Sequence, residues 1–139
     1  MPLNFSRLDP NAVAPARKHA ADAGVDVFAN EAVTIWPFSF KVVHTGVTFE
    51  IPEGTVVFAW PKGRSNYLVG AGVIDAGYQG EILIKVVNPS WKFLHIQKGA
   101  AIAQLVQVPV ICEPLRELPQ SEIHAQISAR GASGGIHTT

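Results

Sequence analysis

Apolar positions in this chain fall in short runs cut by turn residues, with little of the three-to-four spacing that a helix requires. Residues 55–60 (TVVFAW) are β-branched and aromatic, bounded by Pro52-Glu53-Gly54 and Pro61-Lys62-Gly63. Residues 82–87 (ILIKVV) form a second such run, closed by Asn88-Pro89-Ser90. Residues 101–108 (AIAQLVQV) are apolar at most alternate positions, with Gln104 and Gln107 interrupting. Residues 41–51 (KVVHTGVTFEI) also read as strand, broken or bulged near Gly46. Residue type and the spacing of turns predict strands in all four. Residues 64–68 and the neighbourhood of Arg116 are weak helical candidates, residues 1–20 carry few signals, and no internal repeat is visible. Many short strands in a chain with 12 Gly and 10 Pro predict an all-β sandwich or barrel.

At 139 residues the chain is expected to fold as one core-forming domain without disulfides or metals. Only 16% of it is charged against 47% hydrophobic, which predicts that another subunit covers part of its apolar surface. Eleven basic and eleven acidic residues cancel, so the basic field of a direct nucleic-acid binder is absent. Cys112 is the only cysteine, which rules out an intrachain disulfide, fits a reducing compartment and reads as a small buried apolar residue. No apolar run has the length of a signal peptide core or a bilayer span, so a cytoplasmic protein with no membrane partner is expected. Residues 113–122 are polar, with Pro114 and Pro119, and residues 128–139 (SARGASGGIHTT) are small and Gly-rich. The expected organisation is a β body over residues 1–122 and a flexible C-terminal arm over 123–139, which reads either as a frayed terminus or as an arm that orders on a ligand, led by Arg130.

The strongest chemical signal is GVIDAGYQGE at residues 72–81. Asp75 directly follows Val73 and Ile74, where a strand meets a loop, and Gly77 and Tyr78 follow it. Alone, such an Asp is more often a turn residue bonding its own backbone. Four further segments change that balance: AGVDVFA at 23–29, GRS at 63–65, KGAAIAQ at 98–104 and RGASGG at 130–135. In this order the five resemble the motifs of the trimeric dUTP diphosphatase (dUTPase) family: AGxDLxA, (P/G)RS, the Asp-aromatic segment, KGxRIAQ and RGxGG. The likeness runs from about residue 21 to the C-terminus.

The resemblance implies an antiparallel jelly-roll-like barrel or sandwich, assembled as a homotrimer with active sites between subunits and the arm closing over a neighbour's site. It implies hydrolysis of dUTP to dUMP and pyrophosphate, which limits uracil incorporation into DNA and supplies dUMP for dTMP synthesis. Phosphoryl chemistry depends on positioning and electrostatics. The resemblance gives Asp75 the water, Tyr78 the deoxyribose face, and Arg64, Ser65 and Gln104 the phosphates, with Gly72 also against the substrate. Arg130, Gly131, Gly134 and Gly135 would bring a guanidinium and backbone amides to the phosphates. Mg2+ is the implied cofactor, carried mainly by substrate phosphates and touched through water by Asp26. Read without the resemblance, Arg64 is a solvated charge, Gln104 an outer-face strand residue and Asp26 a structural acid.

The chain departs from the family pattern in three places. Ser65 and Asp75 are only ten positions apart, so residues 66–71 must replace a helical turn and the first arm of the uracil-reading hairpin. Ile136 and then His137 follow Gly135 where the family carries a base-stacking aromatic; His137 would stack in a shifted register. Ala101 stands where the family has Arg. The related dCTP deaminases, alone or bifunctional with dUTPase activity, are the nearest alternative. Their catalytic Glu aligns with Lys85, which cannot shuttle protons in that role. A non-catalytic nucleotide-binding regulatory β-protein is the alternative from another class.

Overall fold

The computed structural model describes residues 2–132 and residue 134. Eleven strands occur among them: β1 (Asn4–Arg7), β2 (Gly24–Phe28), β3 (Val33–Ile35), β4 (Phe40–His44), β5 (Val47–Glu50), β6 (Thr55–Trp60), β7 (Leu68–Val69), β8 (Gly72–Ile74), β9 (Leu83–Val87), β10 (Leu94–Ile96) and β11 (Ala101–Pro109). No helix forms among the described residues, so neither weak helical candidate is realised. β1 lies within the first twenty residues, where the sequence carries few signals, and pairs with β5. It is exposed along its whole length, so no alternation of buried positions marks it.

Every strand pairing is antiparallel. One sheet has the order β2-β11-β6-β8 and a second β4-β9-β7, with two-stranded ribbons β1-β5 and β10-β3 beside them. Inward side chains of both larger sheets meet in one buried cluster: Val25, Val27, Val57, Ala59 and Leu105 from the first, Val43, Ile84 and Val86 from the second. Each such burial contributes roughly 1.5–3 kcal/mol. The alternation is plain in β9, where Ile84 and Val86 are buried while Leu83 and Lys85 face out. This is the all-β sandwich expected from the pattern of apolar runs.

Gly46 divides the 41–51 run into β4 and β5. Its φ of 70° suits glycine, and a Cβ there would lie 2.9 Å from the Ala12 side chain. Thr45 and Asn88, both buried, satisfy their polar atoms on the backbone: Thr45 Oγ1 donates to the Ile82 carbonyl at 2.6 Å, and Asn88 Nδ2 donates to the Ile35, Trp36 and Lys92 carbonyls. The turn read at residues 88–90 is thus also a tie between the end of β3 and the loop before β10.

Beyond β11 no described residue belongs to a strand. Ile111 (82% exposed), Leu115 (102%) and Ile127 (96%) find no cover among the described residues. Cys112 lies on this stretch and is exposed, which corrects its reading as a buried apolar residue. The reason is placement: it falls three residues past the end of β11, outside the core.

Candidate active site

Asp75 directly follows β8 and is exposed. The Tyr78 amide donates to the Asp75 carbonyl at 3.0 Å, closing a turn with Ala76 and Gly77 at its centre. This turn presents the carboxylate to a cleft of about 630 Å³, lined also by Thr55, Val56 and Phe58 of β6 and by Cys112. Tyr78 Oη donates to the Glu81 carbonyl at 2.6 Å. The ring lies across Gly80, where a Cβ would fall 2.6 Å from Oη. Gly72 and Tyr78 share a smaller cleft of about 190 Å³ with Ile74, Glu81 and Leu83. Asp75, Tyr78 and Gly72 therefore stand on one supersecondary unit.

A second group stands elsewhere on the same sheet. In β11, Gln104 pairs with Asp26 of β2 on one side and Trp60 of β6 on the other. Its Nε2 donates to the Pro61 carbonyl at 3.1 Å. Gly24 leaves the space that the Gln104 carboxamide fills, since a Cβ at Gly24 would overlap its oxygen. Lys62 Nζ lies 2.6 Å from Asp26 Oδ1, both side chains being partly buried. The Ser65 amide donates to the Lys62 carbonyl at 3.1 Å, and this turn sets Arg64 out into solvent. Asp26, Lys62, Gln104, Arg64 and Ser65 thus form a polar group around the end of β6 at Trp60.

The two groups are held apart by β6. Val57 pairs with Ile74, so Asp75 follows on toward the level of Val56, while Gln104 is level with Trp60. Four strand residues at about 3.3 Å each separate these levels by roughly 13 Å. One protomer does not bring Asp75 to Gln104, Arg64 and Ser65.

The short stretch between Ser65 and Asp75 resolves differently from a hairpin arm. Leu68–Val69 form β7, which pairs with β9 of the opposite sheet, and β8 pairs with β6. Arg130 and Gly131 are exposed in the arm, with Gly131 at φ 55° and its amide donating to the Ser128 carbonyl and Oγ, each at 3.2 Å. Gly131 lines a cleft of about 410 Å³ built from arm residues alone. Gly134 is described and exposed, whereas Gly135 and His137 lie outside the described residues.

Among the described residues no three His, Cys, Asp or Glu side chains gather as a metal cage. The Asp26 carboxylate in the polar group at the end of β6 is a hard oxygen donor, of the kind that meets magnesium through water. Two further groups were not among the site residues expected from the sequence. One is Lys62, whose pairing with Asp26 joins positions 36 apart. The other is His44 with Glu81: His44 Nδ1 lies 2.9 Å from Glu81 Oε1, and Glu81 Oε2 accepts the Gly46 amide at 2.8 Å. The hydrogen bond to Glu81 and its charge raise the His44 pKa above its usual value. Burial alone would raise that of Glu81, but bonds from His44 and Gly46 outweigh it and hold the carboxyl low. Only the motif position of Glu81, six residues after Asp75, would have drawn attention to it.

The dUTPase family model matches residues 10–138. The chain is 38% identical over 117 residues to the deoxyuridine 5'-triphosphate nucleotidohydrolase of Picosynechococcus sp., covering 80% of this chain and 82% of the relative. The protein of the same name from Trichodesmium erythraeum is 33% identical over 141 residues, covering 96% and 99%. Among solved structures, the dUTPase of Staphylococcus bacteriophage 80alpha with dUPNHPP superposes with a TM-score of 0.88 at 29% identity, covering 96% of this chain and 95% of that one. A mutant dUTPase from phage phi11 of S. aureus, described with a structural Mg(II) ion, gives 0.80 at 27%, covering 86% and 98%. With a family match over nearly its whole length and the sandwich and motif placement to go with it, the chain belongs to the dUTPase family.

Proposed function

We propose that this chain hydrolyses dUTP to dUMP and pyrophosphate in the cytoplasm, at sites assembled between the subunits of a homotrimer. The activity would keep uracil out of DNA and provide dUMP for dTMP synthesis. The observation that carries the shared site is the division along β6: Asp75 stands beyond one level, and Gln104, with the turn that carries Arg64 and Ser65, at another. A nucleotide's α phosphorus must meet the water-orienting carboxylate and the phosphate donors together, so a neighbour has to supply one set. The uncovered Ile111, Leu115 and Ile127 support a neighbour in contact with the segment after β11.

In this reading the Asp75 carboxylate accepts a hydrogen bond from the attacking water, aligns it with the α phosphorus and takes up its proton. Tyr78 packs its ring on deoxyribose. Its hydroxyl is already committed to the Glu81 carbonyl, so it works by shape and not as a donor to the nucleotide. Arg64, Ser65 and Gln104 donate to the triphosphate, and Gly72 lets backbone approach the base. The arm adds Arg130 and the amides of Gly131, Gly134 and Gly135, with His137 against the base. Magnesium, bound to the phosphates and reached by Asp26 through water, would neutralise charge on the departing pyrophosphate.

The test is pyrophosphate release from dUTP with magnesium, beside dCTP, dTTP and UTP. Release from dUTP alone supports the proposal. Ammonia from dCTP would instead support a deaminase, against which Lys85 already speaks: it faces out from β9, its Nζ 5.4 Å from the centre of the Phe40 ring. No release from any nucleotide would leave a regulatory binding protein.

A further inference from the structure

We infer that Glu81, braced by His44, is a positioning residue that fixes the Tyr78 ring and thereby sets how strongly the enzyme rejects ribonucleotides. The inference rests on the reading that Tyr78 packs on the sugar, and it adds the groups through which that ring is held.

The place of the ring depends on the backbone of Glu81. Tyr78 Oη is bonded to the Glu81 carbonyl at 2.6 Å, and the ring occupies the space that a side chain at residue 80 would take. Movement of the Glu81 peptide therefore moves the ring. That peptide is in turn held by its own side chain. Glu81 Oε2 accepts the Gly46 amide at 2.8 Å and Oε1 meets His44 Nδ1 at 2.9 Å. The turn that receives it is crowded: Gly46 sits at φ 70°, and a Cβ there would lie 2.9 Å from the Ala12 side chain and 3.0 Å from that of Asn30. Neighbouring bonds fix both flanks: Thr48 Oγ1 to the Gly80 carbonyl at 2.7 Å, and the Ile82 amide to the Val47 carbonyl at 2.9 Å.

A sugar 2′-hydroxyl is a single oxygen, so a ring displaced by about an ångström admits it, and a steric filter of this kind needs the ring held to that tolerance. Neither His44 nor Glu81 has a part in the proposed water or phosphate contacts. Their effect should appear in the choice of substrate more than in the rate on dUTP.

His44 makes the brace sensitive to pH. The groups facing it are Glu81, Glu31 from the loop after β2, and Asp9 from the segment after β1, all acids, and Asp9 is itself bonded to Asn30 Nδ2 at 3.0 Å. Lys98 acts on Asp9 from the turn before β11. Glu81 and Glu31 favour imidazolium, which binds the carboxylate more tightly than neutral imidazole does. Discrimination should be greatest with His44 charged and decline as pH rises through its raised pKa.

The experiment is kcat/KM for dUTP and for UTP over about pH 5–9, with wild type, Glu81→Gln, His44→Ala, His44→Gln and Tyr78→Ala. Glu81→Gln is expected to lower the dUTP-to-UTP ratio about tenfold, mainly by raising activity on UTP. His44→Ala should have a smaller effect in the same direction. His44→Gln, which can still bond the carboxylate but does not titrate, should keep the ratio and lose its pH dependence. If Glu81→Gln and His44→Ala hold the wild-type ratio at every pH while Tyr78→Ala loses it, the brace is refuted and the sugar role of Tyr78 survives. A wild-type enzyme that turns over UTP as readily as dUTP would refute both. His44 is half-exposed on a strand, so its variants keep the inference testable should Glu81→Gln fail to fold.

Discussion

Lys62 reaches across from the end of β6 to Asp26 in β2, its Nζ 2.6 Å from Oδ1, and so ties the turn that carries Arg64 to the first motif of the chain. Asp26 is therefore a structural partner of the turn that carries Arg64, whatever it contributes through water to a metal ion.

Lys62→Met should show this. It leaves the partly buried Asp26 carboxylate without its ion pair, and stability should fall by about 1–3 kcal/mol in denaturant melts. Because the turn loses its tether, KM for dUTP should rise more than kcat falls.

Gly24→Ala should disturb the site from its opposite edge. A methyl group there overlaps the Gln104 carboxamide and must push it off the Pro61 carbonyl. Overpacking of this kind costs about 1–3 kcal/mol. The displaced Gln104 should weaken binding of a non-hydrolysable dUTP analogue, measured by calorimetry.

Stability should also depend on pH through His44 and Glu81. The His44 pKa is raised from 6.5, so its contribution is full below pH 6.5 and fades as pH rises through the folded-state value. That of Glu81 is lowered from 4.5, so its contribution is present above pH 4.5 and fades as pH falls through the folded-state value. The pair should therefore support the fold most between pH 4.5 and 6.5. His44→Gln should flatten the alkaline side of the thermal-midpoint profile. The shift will be small, because half of the imidazole is open to solvent.

Deleting residues 129–139 should lower turnover strongly while the oligomer persists, because the strands among the described residues end before that segment. Sedimentation beside steady-state kinetics would check both halves. Full turnover in the truncated protein would show that the arm does not close the site.

Much of this architecture could be read from the chain. β6 falls on the expected residues, β9 begins one residue late and β11 ends one residue late, because β-branched runs between Pro and Gly turns leave little choice of boundary. The break at Gly46 was legible too, since few other residues accept its backbone angle. What stayed hidden was contact over distance. The Asp26–Lys62 and His44–Glu81 pairs join positions 36 and 37 apart, and no local pattern announces them. β7 was missed because two residues show no alternation. Cys112 was misplaced because composition tells how often a cysteine is buried, not where a strand ends. The motif residues Asp75, Tyr78, Arg64, Ser65 and Gln104 were found by resemblance, and their division between two levels of β6 became visible only in the pairing register.

Mixing inactive chains tests the shared site most directly. Asp75→Asn should abolish turnover while leaving analogue binding largely intact, and Arg64→Ala should also be inactive. Unfolding and refolding the two together should restore activity, because in about a quarter of the sites of a randomly mixed cyclic assembly both contributing chains supply the intact residue. Mixed assemblies with no recovered turnover would contradict the account, since Asp75 and Arg64 would then have to act from one chain.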